Sequence, residues 1–306
     1  MQLPALASWA WIPIVITAAL AQTARNAAQR TISSALGAWS ATLVRFLYGL
    51  PFAILWLGCV YLLNPDQRSV PDFNGAFAAW LLCGAMAQIL ATYFLLSAMA
   101  QRNFIVGVTF SKTEVLQVAL FAMLVLSEVP TWLTATAVVC AGAGVVLLSI
   151  PAKAAVAGTG PWLSPAALLG LASGSFFALA NVTYRGAALA LPDSSPWVIG
   201  AWGVVLAQIA QSLVLGGYLH WKQPGSLGAM GRAWRVSLVA GACGALASIA
   251  WLTAFALRPA ADVRILGLIE VFFSYVVSRR LFGENMSKFE LAGMCLVLAG
   301  VVLVCL

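Results

Sequence analysis

The sequence predicts an all-α integral membrane protein of ten transmembrane helices, arranged as two inverted five-helix repeats. Three observations carry that prediction. Hydrophobic residues make up 62% of the 306 and charged residues only 8%. The apolar residues gather into runs long enough to cross a bilayer, and the second half repeats features of the first.

A soluble globule of this size needs more polar surface than a chain of mean hydropathy +0.97 can supply. Crossing the ~30 Å hydrocarbon layer takes roughly 20 residues, so ten spans use about 200 and leave little for a soluble domain. Apolar runs separated by short polar or Pro/Gly connections fall at about 9–30, 37–63, 75–98, 104–126, 131–150, 163–190, 196–219, 235–257, 262–282 and 287–306. The first run has no basic stretch before it, and Ala5-Leu6-Ala7 precedes the run where a cleavage site should follow it, so it reads as a retained helix. Residues 151–161, PAKAAVAGTGP, have the composition of a flexible connection. They separate a first repeat at 1–150 from a second at 162–306.

The net charge of +7 is not a nucleic-acid signal, because no hydrophilic stretch combines clustered Lys and Arg with aromatics. Short loops facing anionic lipid account for it. In the ten-span topology Arg30, Arg102, Lys153, Lys222, Arg232, Arg235, Arg279, Arg280 and Lys288 share one face. Arg68, Arg185, Arg258 and Arg264 lie on the other, with both termini. Nine cations against four put the termini outside the cytoplasm. A multi-pass place in the cell (inner) membrane is expected. The six cysteines lie in apolar runs without a CxxC pair, and the single histidine, His220, stands at a span end, so no metal or other cofactor is expected.

Sliding the chain over itself by 156 residues aligns Glu114-Val115 with Glu270-Val271, Glu128 with Glu284, and AGVVL at 143–147 with AGVVL at 299–303. Upstream, CGAMAQI at 83–89 aligns with CGALASI at 243–249, and Asn26 and Arg30 align with Asn181 and Arg185. Five spans per half is an odd number, so the second half must enter the bilayer from the opposite side and the repeats are inverted. Two inverted halves can rock so that one central site opens alternately to each face.

A mid-span Glu, an apolar run ending in Ser-Glu or Gly-Glu, a short turn and a Gly-containing AGVVL helix occur in both halves. In this the chain resembles the ten-helix branch of the drug/metabolite transporter superfamily, with two EamA-type domains. The resemblance implies a carrier, often an exporter or exchanger, of amino acids, amines or other small organic solutes through a cavity between the halves. It also implies cytoplasmic termini, against the charge count. The family often has Pro after each mid-span Glu. Here Val115 and Val271 stand there, so a kink at these points is not required.

An ionised side chain within a span costs at least about 2.5–3.5 kcal/mol and should be paired or face water. From the cation-rich face, Arg45 and Glu114 lie roughly 12 and 15 Å deep at about 1.5 Å per residue, so they are expected to meet, as a substrate or coupling pair or as a structural one. Lys112, two residues before Glu114, should point elsewhere on its helix. Glu270 is expected without a basic partner, Arg264 lying nearer the surface, and so free to exchange a proton or to receive an amine. Gln22, Arg25, Asn26 and Gln29 form one polar stripe on the first helix, suited to a substrate path or to interhelical bonding. Gln88, Asn181, Tyr184, Gln208 and Gln211 are weaker cases of the same kind. Tyr93, Trp202 and Trp251 are candidates for an aromatic wall for the solute, the alternative for each being packing against lipid or core.

Trp9, Trp11, Trp132, Trp162, Trp197, Trp221 and Trp234 fall near span ends, as an interfacial belt does. Ala166, Gly170, Gly174 and Ala178 are spaced for close helix packing. Glu128 and Glu284 begin the last helix of each half and read as structural. A membrane enzyme would need a metal cluster or a nucleophile with its base, which the sequence lacks. A signalling or scaffold protein would have no use for mid-span carboxylates. The expected partners are a small solute, lipid and protons.

Overall fold

The computed structural model describes residues 9–63, 69–101, 108, 110–148, 164–282 and 288–306. The connection at 151–161, Glu284 and Trp162 lie outside these. Thirteen helical segments follow in order: α1 (Trp11–Leu36), α2 (Ala38–Leu47), α3 (Leu50–Leu63), α4 (Gly75–Gln101), α5 (Glu114–Leu126), α6 (Trp132–Leu148), α7 (Pro165–Leu189), α8 (Pro196–Lys222), α9 (Ser226–Arg232), α10 (Trp234–Leu257), α11 (Ala260–Gly267), α12 (Ile269–Phe282) and α13 (Lys288–Val304). Among the described residues there is no strand.

Local chemistry sets several of these boundaries. Ser164 and Ser195 cap α7 and α8, their hydroxyls accepting from Ala167 N at 3.2 Å and Val198 N at 3.4 Å, with Pro at the first helical position of each. Gly37, at φ +82°, turns α1 into α2 in a single residue, a conformation that a side chain would strain. Ser127 adopts the left-handed conformation after α5, and Glu128 N–H reaches back to Ala122 O at 3.2 Å.

Among the described residues, five stretches are long and apolar enough to cross a membrane: Ala38–Leu63, Gly75–Gln101, Pro165–Leu189, Pro196–Lys222 and Trp234–Leu257. The other expected spans are shorter, interrupted or, for α1, polar on one side. The fold is inverted relative to a soluble protein. Leu62, Leu63, Val139 and Leu213 are exposed, while Arg25, Arg45, Lys112, Glu114, Arg264 and Glu270 are buried. Only a hydrocarbon surround makes that arrangement favourable. Trp9, Trp132, Trp197, Trp221 and Trp234 are exposed as a belt requires, and Lys222 and Arg235 stack on Trp221 and Trp234. Trp11 departs from that expectation: it is buried, with the Arg258 guanidinium 5.3 Å from its ring centre.

The most extensive helix contacts are α4 with α7, α6 with α13, and α1 with α10. Small residues allow them. A methyl on Gly144 or Gly293 would lie within 3 Å of the other's carbonyl oxygen, and the side-chain-free face of Gly84 lies on the Tyr184 ring. The expected small stripe on α7 does pack closely. Gly170 lies against Phe110, and Gly174 against the backbone of Ser111 and Glu114.

The helices carrying the mid-span carboxylates break without proline. Lys112 and Thr113 form a turn before Glu114, and Leu268 one before Ile269 and Glu270. The contacts Val115 N to Lys112 O (3.2 Å) and Val271 N to Leu268 O (2.9 Å) are the tight three-residue kind that marks such a break. A break that Val115 and Val271 do not require is thus made without proline. Each carboxylate sits in the first turn of a half-helix, where the partial positive charge of the free N–H groups favours it.

Candidate functional site

The breaks bring acids and bases from different segments together. Glu270 Oε2 accepts from Lys112 Nζ at 2.5 Å and Gln22 Nε2 at 2.5 Å, and its Oε1 from Asn26 Nδ2 at 3.0 Å. Arg264 donates through Nη2 to Glu114 Oε1, and Lys112 Nζ stands 3.7 Å from that same oxygen. Trp251 Nε1 donates to Gln22 Oε1 at 2.9 Å, and its ring lies 4.3 Å from the Arg264 guanidinium. Each carboxylate therefore holds a cation from the opposite half of the sequence.

Two expectations about pairing are overturned here. Arg45 does not meet Glu114. It donates to Thr92 Oγ1 at 2.8 Å and Ser248 Oγ at 3.4 Å, while Arg264 takes Glu114. Nor is Glu270 unpartnered, since Lys112 holds it. The physical reason is the same in both cases. Regular helical phase puts Lys112 and Glu114 on different sides, but a turn between them lets both face the centre. Arg264 closes α11, and its long side chain spans the difference in depth to Glu114.

The α1 stripe is buried throughout, with Arg25 and Gln29 at 0% exposure. Arg25 donates to its neighbour Asn26 Oδ1 from Nε (3.2 Å) and Nη2 (2.6 Å), and Gln29 donates to Ala41 O at 2.7 Å. A second polar group continues across the centre. Gln88 Oε1 accepts from Tyr184 Oη at 3.1 Å and from Gln211 Nε2 at 2.8 Å, and Thr92, one turn on, reaches Arg45. Gln208 is buried, and neither side-chain polar atom has a partner among the described residues. The Asn181 side-chain N–H group is in the same position.

The three aromatic candidates do not gather into a wall, and Trp202 and Tyr93 follow the packing alternative. Only Trp251 reaches the centre. Trp202 donates to Tyr61 Oη at 2.8 Å and meets the Phe73 ring edge-on. Tyr93, turned about 100° from Thr92 on the same helix, stacks on Trp39 with ring centres 3.9 Å apart.

Sequence reasoning passed over Arg264, Thr92 and Ser248 as site residues. Ser248 carried a signal, because it aligns with Gln88 in the repeat. It also missed a lock at the end where α5 stops and α11 starts. Arg185 Nε donates to Glu128 Oε1 at 2.7 Å and its Nη1 to Phe255 O at 2.7 Å, while Ala260 N–H donates to Glu128 Oε2 at 3.3 Å. Thr134 Oγ1 donates to Asp262 Oδ1 at 2.9 Å beside it. Glu128, expected to be merely structural, ties the two halves together there. Toward the far end of α1, a cavity of about 230 Å³ is lined by Arg30, Ser33, Ser34, Leu96, Met99 and Ala100.

Among the described residues no three His, Cys, Asp or Glu side chains gather as a metal site would need. Residues 164–306 match the EamA-like transporter family, so the second half of the chain is an EamA-like transporter domain. With the five long apolar helices among the described residues, this indicates a multi-pass membrane protein. A solved structure described only as the crystal structure of a protein superposes with a TM-score of 0.63 at 16% identity, covering 97% of this chain and 94% of its own. That likeness extends the fold over the first half of the chain. No curated protein matches the chain.

Proposed function

We propose that this protein is a secondary carrier of a small organic solute, working by alternating access of two inverted five-helix repeats, 1–150 and 162–306. The packing supports the repeat. The α4–α7 contact joins the third and sixth expected spans, and α1–α10 joins the first and eighth, which the inverted correspondence exchanges. The α6–α13 contact joins the two last helices of the halves and maps onto itself.

The observation that carries the proposal is the crossed pairing at mid-depth. Glu114 with Arg264, and Glu270 with Lys112, each take one partner from each half, beside breaks that divide their helices. Such pairs hold one arrangement of the halves and must rearrange when the halves rock, and they supply groups able to exchange a proton for a cation as they do. The Glu128–Arg185 lock closes one face in this state, while the 230 Å³ cavity beside Arg30 leads from the other. The charge bias makes the closed face the outer one. Family resemblance favours export or exchange.

Spin labels test the rocking without a known solute. A cysteine-free chain would be labelled at Ser127 and Arg258 on the locked face, or at Ala100 and Leu227 on the other. Glu128→Gln should lengthen the first distance and shorten the second. Distances that stay fixed on both faces, or lengthen together, would refute alternating access.

A further inference from the structure

The buried charges do not balance. Among the described residues the buried cations are Arg25, Arg45, Lys112 and Arg264, and the buried carboxylates are Glu114 and Glu270. Lys112 and Arg264 are taken up by the two crossed pairs. Arg25 and Arg45, at 0% and 1% exposure, form no ion pair with a carboxylate among the described residues. Arg25 reaches Glu270 only through the Asn26 amide, and Arg45 has two hydroxyls. Hydroxyl and amide dipoles orient a guanidinium but supply no net countercharge, and two buried carboxylates cannot neutralise four buried cations. The carboxyl end of α2 lends Arg45 partial negative charge, whereas Arg25 lies within α1 and has no helix end beside it.

The two arginines lie together. A methyl built on Gly244 of α10 would stand 3.0 Å from Arg45 Cγ and 3.4 Å from Arg25 Cδ, so both stems cross the side-chain-free face of that glycine. Arg25 Nη1 and Arg45 Nε lack a partner among the described residues, as do both polar atoms of the Gln208 amide, whose Nε2 lies close to the face of Gly49. An amine finds little to bind, because Glu270 already accepts from three donors and Glu114 Oε2 is the single carboxylate oxygen of the pair without a partner.

We infer that the solute is a net-anionic organic molecule whose oxyanion head, a carboxylate or a phosphate, is held by Arg25 and Arg45. This deepens the carrier reading and rests on it for the word solute, but the binding site itself stands on the arginine geometry. Guanidinium N–H groups suit a planar or tetrahedral oxyanion, and they gain most where water is excluded. The amino acid or amine expected from the sequence is accordingly replaced by an acid, with the Glu270 carboxylate committed to Lys112 instead of to an amine.

The test is thermal stabilisation of the purified full chain at constant ionic strength, with succinate and inorganic phosphate set against alanine, putrescine and chloride. Succinate or phosphate should raise the apparent Tm progressively with concentration, as a ligand of the folded state does. Whichever acts identifies the head group. The shift should disappear in both Arg25→Gln and Arg45→Gln, either variant sufficing if the other fails to fold. Three outcomes would overturn the inference: no shift with either oxyanion, an equal shift with chloride, alanine or putrescine, or a shift retained in both arginine variants. An arginine-dependent shift in a protein whose spin-label distances never change would keep the anion site and discard the carrier.

Discussion

Two buried groups of charges, one layer apart, are treated in opposite ways. Glu114 and Glu270 each hold a cation from the other half, with Gln22, Asn26 and Trp251 completing the network. Arg25 and Arg45 hold hydroxyls and an amide and no carboxylate. Both groups are buried. The first recovers the cost of desolvation within the chain, so its charges serve to fix the halves. The second does not, so its charges make sense with a partner from outside the chain. Burial of a charge therefore does not distinguish structure from function, whereas compensation does.

The largest expected effect breaks the compensated group. Glu114→Leu leaves Arg264 buried without its carboxylate, and Arg264→Leu leaves Glu114 with only Lys112, 3.7 Å away and already held by Glu270, each at a cost of about 3–5 kcal/mol. The loss should appear as a collapse of the melting transition of the purified protein. In a double-mutant cycle, Lys112→Met with Glu270→Gln should be less damaging than the single changes sum to, by about 0.5–3 kcal/mol. Strict additivity would mean that Lys112 and Glu270 are not coupled.

A smaller effect sharpens the role of the helix break. Gly174→Ala puts a methyl 2.9 Å from Ser111 O and 2.9 Å from Thr113 Oγ1, beside the turn that aims Lys112 and Glu114. The backbone there must shift, at about 1–3 kcal/mol. Gly216→Ala, whose added methyl meets nothing within 4 Å, should be neutral or slightly stabilising in the same denaturation series. Equal effects at the two glycines would show that the break tolerates displacement.

The smallest effect falls on the uncompensated group. Arg45→Met removes a buried cation that has no carboxylate and leaves Thr92 bonded to Gln88 O at 2.9 Å. Without an anion present, Tm should stay level or rise, within about 1 kcal/mol, in contrast to the cost of losing Arg264. A loss comparable to that of Arg264→Leu would show that Arg45 is compensated after all and erase the distinction between the two groups.

The sequence by itself determined the membrane class, the all-helical fold, the α1 stripe and the two carboxylates, because composition and apolar run length depend on residues taken locally. The same holds for the close packing of Gly170 and Gly174, which follows from four-residue spacing on one helix. Partner choice was decided only by the tertiary structure. Lys112 was set aside, and Arg45 assigned to Glu114, by assuming unbroken helical phase and straight depth. The turns at 112–113 and 268 cancel that phase, and no proline or glycine within them marks the spot. Which arginine meets which carboxylate depends on segments about 150 residues apart, Glu114 with Arg264 and Lys112 with Glu270. Local periodicity carries no information at that range, so the lack of a carboxylate partner for Arg25 and Arg45 among the described residues becomes visible only when the buried charges have been placed in space.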